Sequence, residues 1–140
     1  MSCLFDSVSS FTKNCSSSDL RSIVVHYLQS DPVYWDTMRF GEVFPFFPPE
    51  DVHGCSNVNE YVERMKYSHT WGGAIEIQAM CNLFQISIRV HVLNHHHHRG
   101  RPSSPPPITF VPAAASSATT PPQVVLDVVW TGNHFDPLHK

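Results

Sequence analysis

Four cysteines and ten histidines supply the groups of this 140-residue chain best suited to nucleophilic and base chemistry. The cysteines stand at 3, 15, 55 and 81, without the Cys-x-x-Cys pairs of a zinc site or the density of a disulfide scaffold. Cys3 is followed at once by Leu4, Phe5, Val8 and Phe11 at helical spacing, which predicts a short helix starting at or just after it. The thiolate is the reactive form, and a cysteine at a helix N-terminus near a histidine has its pKa lowered from about 8.5 to roughly 3.5–7.5. Cys81 lies on an apolar helical stripe and reads as core. Cys15 and Cys55 fall in polar or glycine-containing loops and read as free thiols.

His134 follows the turn signal Thr131-Gly132-Asn133 at the end of an apolar strand, which would hold its ring at a sheet margin. Asp136, two residues on, points to the same side of the return strand because side chains alternate with period two. A carboxylate beside an imidazole fixes its tautomer and stabilises the imidazolium, the third role in a nucleophile-base-orienter system. The same residues also suit a polar turn facing water, and spacing by itself leaves both readings open. His26 on a helix and His91 on the polar face of a strand read as structural. His69, just before Trp71, reads as a surface loop residue or a cleft lining. His95 to His98 resembles a metal-binding tract, but with no cysteine or carboxylate beside it a solvated loop is expected, with no metal site and no cofactor.

The elements that must position these groups are legible in the periodicity. Ser18 can cap a second helix whose Leu20, Ile23, Val24, Tyr27 and Leu28 form one apolar face. Asp31-Pro32 reads as a cap and first helical position for a short helix with Val33, Tyr34, Trp35 and Met38. Residues 41–49 break the pattern as an apolar loop that either packs down or meets a partner. Helical pattern resumes near Asn57 to Met65, capped by Asn57 or Asn59, and again over Ala74 to Phe84, with Ile77, Met80, Cys81 and Phe84 on one face. Between them Trp71-Gly72-Gly73 permits a bend or a close backbone approach. Strands are expected over Ile86–Val92 and Val124–Trp130, with a return strand from His134. A Pro/Ser/His-rich insert over about 94–122 is expected to be flexible, with only 108–111 able to form a strand within it. Helices first and strands last indicate an α+β fold with helices packed on a small sheet.

The length fits one domain able to bury a core without disulfides or metal. A hydrophobic share of 41% with 15% charged residues agrees with that, while 12 prolines signal irregular segments. A formal charge of −3 with no basic stripe argues against nucleic acid as a partner. No apolar run is long enough to span a membrane, and the first residues lack a secretion signal. A soluble monomer in the cytoplasm, or alternatively the nucleus, is expected.

Cys3-Leu4-Phe5 ahead of a helix resembles the D-G-x-C-L-F nucleophile motif of ovarian-tumour (OTU) family cysteine proteases. Arg21 to Tyr27 resembles that family's second helix. Glu60-Tyr61-Val62 to Met65 followed by Trp71-Gly72-Gly73-Ala74-Ile75-Glu76-Ile77 is similar to its Y-[VIL]-x-x-M and W-G-G-x-[IL]-E-[IL] elements. The strand Ile86 to Val90 and Asn133-His134-Phe135-Asp136 match I-x-[IV] and H-[YF]-[DN] in the same order. The resemblance implies a papain-type α+β fold with Cys3 as nucleophile, His134 as general base and Asp136 as orienting carboxylate. It further implies an oxyanion hole from the backbone N–H groups of Ser2 and Cys3, and a cleft loop of Trp71, Gly72 and Gly73. The implied activity is that of a deubiquitinase acting on ubiquitin, polyubiquitin chains or a ubiquitin-like modifier. The sequence begins Met1-Ser2-Cys3 where the family has Asp-Gly-x before its cysteine, which sets two alternatives beside it: a trimmed piece of a longer protein, or a ubiquitin-binding module with weak or lost turnover. A viral OTU-type protease that also processes a polyprotein is a further alternative, and an interaction or metal-binding protein acting through the insert is the rival from another class.

Overall fold

A computed structural model describes residues 3–12, 14–92, 106–113, 124–131 and 134–138. Helix α1 (Cys3–Ser9) begins at the cysteine, as the Leu4, Phe5, Val8 spacing predicts, and all three of those side chains are buried. Helix α2 (Ser17–Gln29) starts earlier than expected: Ser16, not Ser18, is the cap, its side chain accepting from the Asp19 N–H at 3.1 Å. Its inward face is rotated too. Leu20, Arg21, Val24, Val25 and Leu28 are buried while Ile23 is exposed and Tyr27 half-buried, because Arg21 is drawn inward by partners on a distant loop.

The segment after Asp31-Pro32 is not a helix. Val33–Trp35 forms β1 and Met38–Arg39 forms β2, an antiparallel pair. Val33, Tyr34 and Trp35 are β-branched or aromatic, and Asp36 closes the turn at φ 56°. Asp31 serves the next element instead: its Oδ1 accepts from the Gly41 N–H at 2.7 Å in the first turn of α3 (Phe40–Val43). The expected loop over 41–49 therefore contains α3 and a 3-10 turn over Phe44–Phe46, and it packs down. Phe40, Phe44, Phe47, Tyr34 and Tyr61 form one aromatic cluster with ring centroids 5.0 to 6.5 Å apart.

Asn57 caps α4 (Val58–Met65), accepting from the Glu60 N–H at 2.9 Å. Helix α5 (Ala74–Phe84) is buried along its whole middle, Ile75 through Cys81, while Phe84 lies exposed and not on the expected inward stripe. The main sheet comprises β3 (Ser87–Val92), β4 (Ile108–Phe110), β5 (Val125–Trp130) and β6 (Phe135–Pro137) in the order β4-β3-β5-β6. The β3–β5 pair is parallel and the others antiparallel. Ile88, Val90 and Val128 are buried on the core face. Helix α1 packs against β5, β6 and α2, and α2 against α4 and α5. The architecture is α+β, with its helices in the first part of the chain and most of its strands in the last. His95 to His98 and most of the expected insert lie outside the described residues; β4 lies within its span.

Candidate functional site

Strand β6 sets the histidine. The β5–β6 register pairs Trp130 with Phe135 and Val129 with Asp136. The Trp130 and Phe135 rings meet at 4.6 Å, which anchors one face of the edge strand and turns its neighbours to the other. His134 and Asp136 share that other face, and His134 Nε2 lies 2.9 Å from Asp136 Oδ1. The His134 carbonyl accepts from the Thr131 N–H at 3.0 Å and from its hydroxyl at 3.2 Å, closing the turn that delivers the ring. With the carboxylate at Nε2, that nitrogen carries the proton and Nδ1 is the basic position. Both side chains are about half exposed, 47% and 56%, so the contact orients the ring more than it stabilises the fold.

Cys3 enters as the first residue of α1, the helix that packs on β6. The first helix and the histidine strand, far apart in sequence, are thus neighbours in space. Ser2 lies outside the described residues, as do Gly132 and Asn133 of the turn. The other thiols are poor rivals: Cys15 and Cys55 are half-buried, and burial pushes the Cys81 thiol up to about 12, too high for a thiolate at neutral pH.

The loop through Trp71, Gly72 and Gly73 is strapped against the start of α1. An ideal Cβ built on Gly72 would lie 2.8 Å from Leu4 Cδ2 and 3.2 Å from Phe5 Cε2, so only glycine lets the strap press this close to the residue after Cys3. Gly73 has open space around the same position. Three side chains tie the strap down. Buried Arg21 donates to the carbonyls of Met65 at 2.8 Å, Ser68 at 3.2 Å and Thr70 at 2.8 Å, while its guanidinium lies 4.6 Å from the Phe5 ring centroid. His53 Nε2 lies 3.2 Å from the Trp71 carbonyl oxygen. Glu76 Oε1 accepts from the Gly73 N–H at 2.8 Å, and its other oxygen accepts from the Tyr61 hydroxyl.

Glu76 is fully buried, and that burial raises its pKa to about 7 against the opposing effects of the Tyr61 and Gly73 hydrogen bonds and of Arg21. Burial, with the Glu76 carboxyl close by, pushes Tyr61 well above the usual tyrosine range, so Tyr61 keeps its proton and donates. The roles of Arg21, His53, Tyr61 and Glu76 are absent from the sequence reading. The available signal was a charge inside an apolar pattern, Arg21 between Leu20 and Val24 and Glu76 between Ile75 and Ile77. A second histidine-carboxylate contact, His91 Nε2 to Asp127 Oδ1 at 2.8 Å, lies within the sheet, but Arg89 already occupies that carboxylate at 2.6 and 3.2 Å. It cross-links the parallel β3–β5 pair.

A helix opened by a cysteine, an edge strand led by a histidine beside a carboxylate, and a glycine strap over the helix start are thus brought together in one region of the fold. The family profile for OTU-like cysteine proteases matches residues 2–112, and the chain belongs to that family. Solved structures agree on the fold. The OTU domain of OTUD1 is 19% identical with a TM-score of 0.64, covering 99% of this chain and 79% of that one. An OTU deubiquitinase from Wolbachia pipientis wMel bound to ubiquitin is 13% identical with a TM-score of 0.64, covering 99% and 89%. The Hazara virus OTU bound to ubiquitin is 16% identical with a TM-score of 0.60, covering 98% and 74%. No curated protein sequence matches the chain.

Proposed function

We propose that the chain is a thiol-dependent hydrolase that cuts the isopeptide or peptide bond after the C-terminal glycine of ubiquitin or a ubiquitin-like modifier. The observation that carries this reading is the His134–Asp136 pair, 2.9 Å apart, on the strand that packs against the helix opened by Cys3. Membership of the OTU-like cysteine protease family supports the reaction class. Ubiquitin bound to the Wolbachia and Hazara virus relatives supports the choice of modifier.

In the proposed cycle His134 takes the Cys3 proton, and the thiolate attacks the carbonyl carbon of the modifier's last residue. The backbone N–H groups of Ser2 and Cys3 are assigned in this cycle to hold the oxyanion. The C–N bond breaks as the amine receives the proton from His134, leaving a thioester on Cys3. Water, deprotonated by His134, then releases the modifier and regenerates the thiol. Asp136 keeps the ring oriented throughout. A second reading is a ubiquitin-binding module without turnover, which keeps the fold and the ubiquitin partner of the relatives but not the reaction.

A ubiquitin carrying a C-terminal electrophile tests both. The hydrolase reading expects a covalent adduct on Cys3, located by peptide mass spectrometry and lost in Cys3→Ala, together with cleavage of linked di-ubiquitin. Labelling of Cys15 or Cys55 instead would overturn the assignment. Ubiquitin binding with neither adduct nor cleavage would establish the binding module.

A further inference from the structure

The strap has an outer side that the proposed reaction leaves unused. There it walls an open cavity of about 530 Å³ lined by His53, Arg64, Tyr67, His69, Thr70 and Trp71. None of these residues is acidic, and two carboxylates of α4 are engaged, Glu63 with Lys66 at 2.7 Å and Glu60 accepting from the Ser56 N–H at 3.0 Å. Five backbone carbonyls in and beside the wall are engaged as well. The carbonyls of Ser68 and Thr70 take Arg21, that of Trp71 takes His53, that of Arg64 takes the Thr70 hydroxyl at 2.7 Å, and that of Tyr67 takes the Thr70 N–H at 3.0 Å.

Three side chains of the lining offer unused donors. Among the described residues the Arg64 guanidinium, the Tyr67 hydroxyl and the His69 ring nitrogens make no hydrogen bond or ion pair. Their donor count is five N–H groups on Arg64, one O–H on Tyr67 and at least one N–H on a histidine ring. A cavity with no carboxylate in its lining and an unpaired guanidinium at its wall is complementary to an anion with several lone pairs, and a guanidinium fork matches a carboxylate in two places. Tyr67 and His69, with ring centroids 5.8 Å apart, and the half-exposed Trp71 add aromatic surface suited to a peptide around that anion. Trp71 precedes Gly72, which rests on Leu4, so the cavity adjoins the start of α1.

We propose that this cavity is a subsite for an acidic side chain of the polypeptide from which the modifier is cut. The inference rests on the hydrolase reading for its role, and on the donor lining for its chemistry. Arg64 is the specificity-determining residue, with Tyr67 and His69 as further donors. The formal charge of −3 on the chain opposes non-specific attraction of acidic peptides, so a preference for one reports a local site.

Two labelled peptides with one central lysine, flanked by glutamates in one and glutamines in the other, test this by fluorescence anisotropy on the full chain at low salt. The glutamate peptide is expected to bind about tenfold tighter, the scale of a charge-assisted bond in a partly open site. Arg64→Ala should erase the difference while leaving the circular dichroism spectrum and the weaker glutamine-peptide binding unchanged. Tyr67→Phe should reduce it without erasing it. Equal binding of the two peptides, or a preference that survives both Arg64→Ala and a combined Tyr67→Phe, His69→Ala variant, would overturn the subsite. Complete displacement by inorganic phosphate with no effect of peptide sequence would also overturn it, in favour of a free-phosphate site. Ubiquitin isopeptide-linked to each peptide supplies the second arm. A binding preference without cleavage defeats the hydrolase reading and leaves the carboxylate site standing, whereas cleavage without a preference in KM does the reverse.

Discussion

At the residue scale the proposed hydrolase uses the half-exposed His134–Asp136 contact to orient the ring, with the histidine as its base. His134→Ala should lower the rate of di-ubiquitin cleavage by about 10²–10⁴-fold, the usual contribution of a positioned base. Asp136→Asn keeps an oxygen that can accept from Nε2–H and should retain measurable activity, while Asp136→Ala should lose more; equal losses would show that charge is what matters. Glu76 offers a test that needs no substrate. Its folded pKa of about 7 lies above the ordinary 4.5. The folded state therefore holds the proton more tightly than the unfolded chain. Its stabilisation is complete below pH 4.5 and is lost as pH rises toward about 7, by on the order of 3 kcal/mol. Urea unfolding across that window should show the decline, and Glu76→Gln should flatten the part of it that distinguishes the two proteins.

At the scale of elements the strap over α1 separates its two glycines. Gly72→Ala drives a methyl into Leu4 and Phe5, which are themselves buried, and overpacking of this kind costs about 1–3 kcal/mol. Because the displaced residues follow Cys3 directly, the variant should also lose cleavage and probe labelling. Gly73→Ala meets nothing within 4 Å and should keep both stability and activity. A reversed order of the two variants would show that the strap does not bear on α1. Arg21→Lys exchanges a planar fork reaching three carbonyls for a point charge, and should lower the urea midpoint by an amount equivalent to on the order of 3 kcal/mol.

At the scale of the molecule the two ends of the described chain close on one another. The α1–β6 contact and the parallel β3–β5 ladder both join distant segments, so neither forms from local structure. Deleting residues 134–140 removes β6, uncovers the Trp130 ring and takes a neighbour from α1. Each large apolar side chain so exposed forfeits about 1.5–3 kcal/mol. Hydrogen exchange should then rise in α1 toward unfolded rates while α2, α4 and α5 remain slower. Uniform protection across all four helices would mean that α1 is held by α2 alone.

The sequence by itself determined the helix that opens at Cys3, the helix Ala74–Phe84, the strands of the main sheet and the alternation that sets His134 and Asp136 on one side, because each is written in a local run or spacing of apolar side chains. Over residues 33–39 Asp31-Pro32 supplies a helix-cap signal, whereas the β-branched and aromatic run after it favours the hairpin turned at Asp36. Only the tertiary structure decided that Cys3 and His134 lie on neighbouring elements, that Gly72 and not Gly73 touches α1, and that Arg21 reaches 49 residues ahead to Thr70. It also decided which donors around Arg64 are left unmatched. Such contacts depend on pairs of residues far apart in the chain, and no single-strand or single-helix periodicity carries information about them.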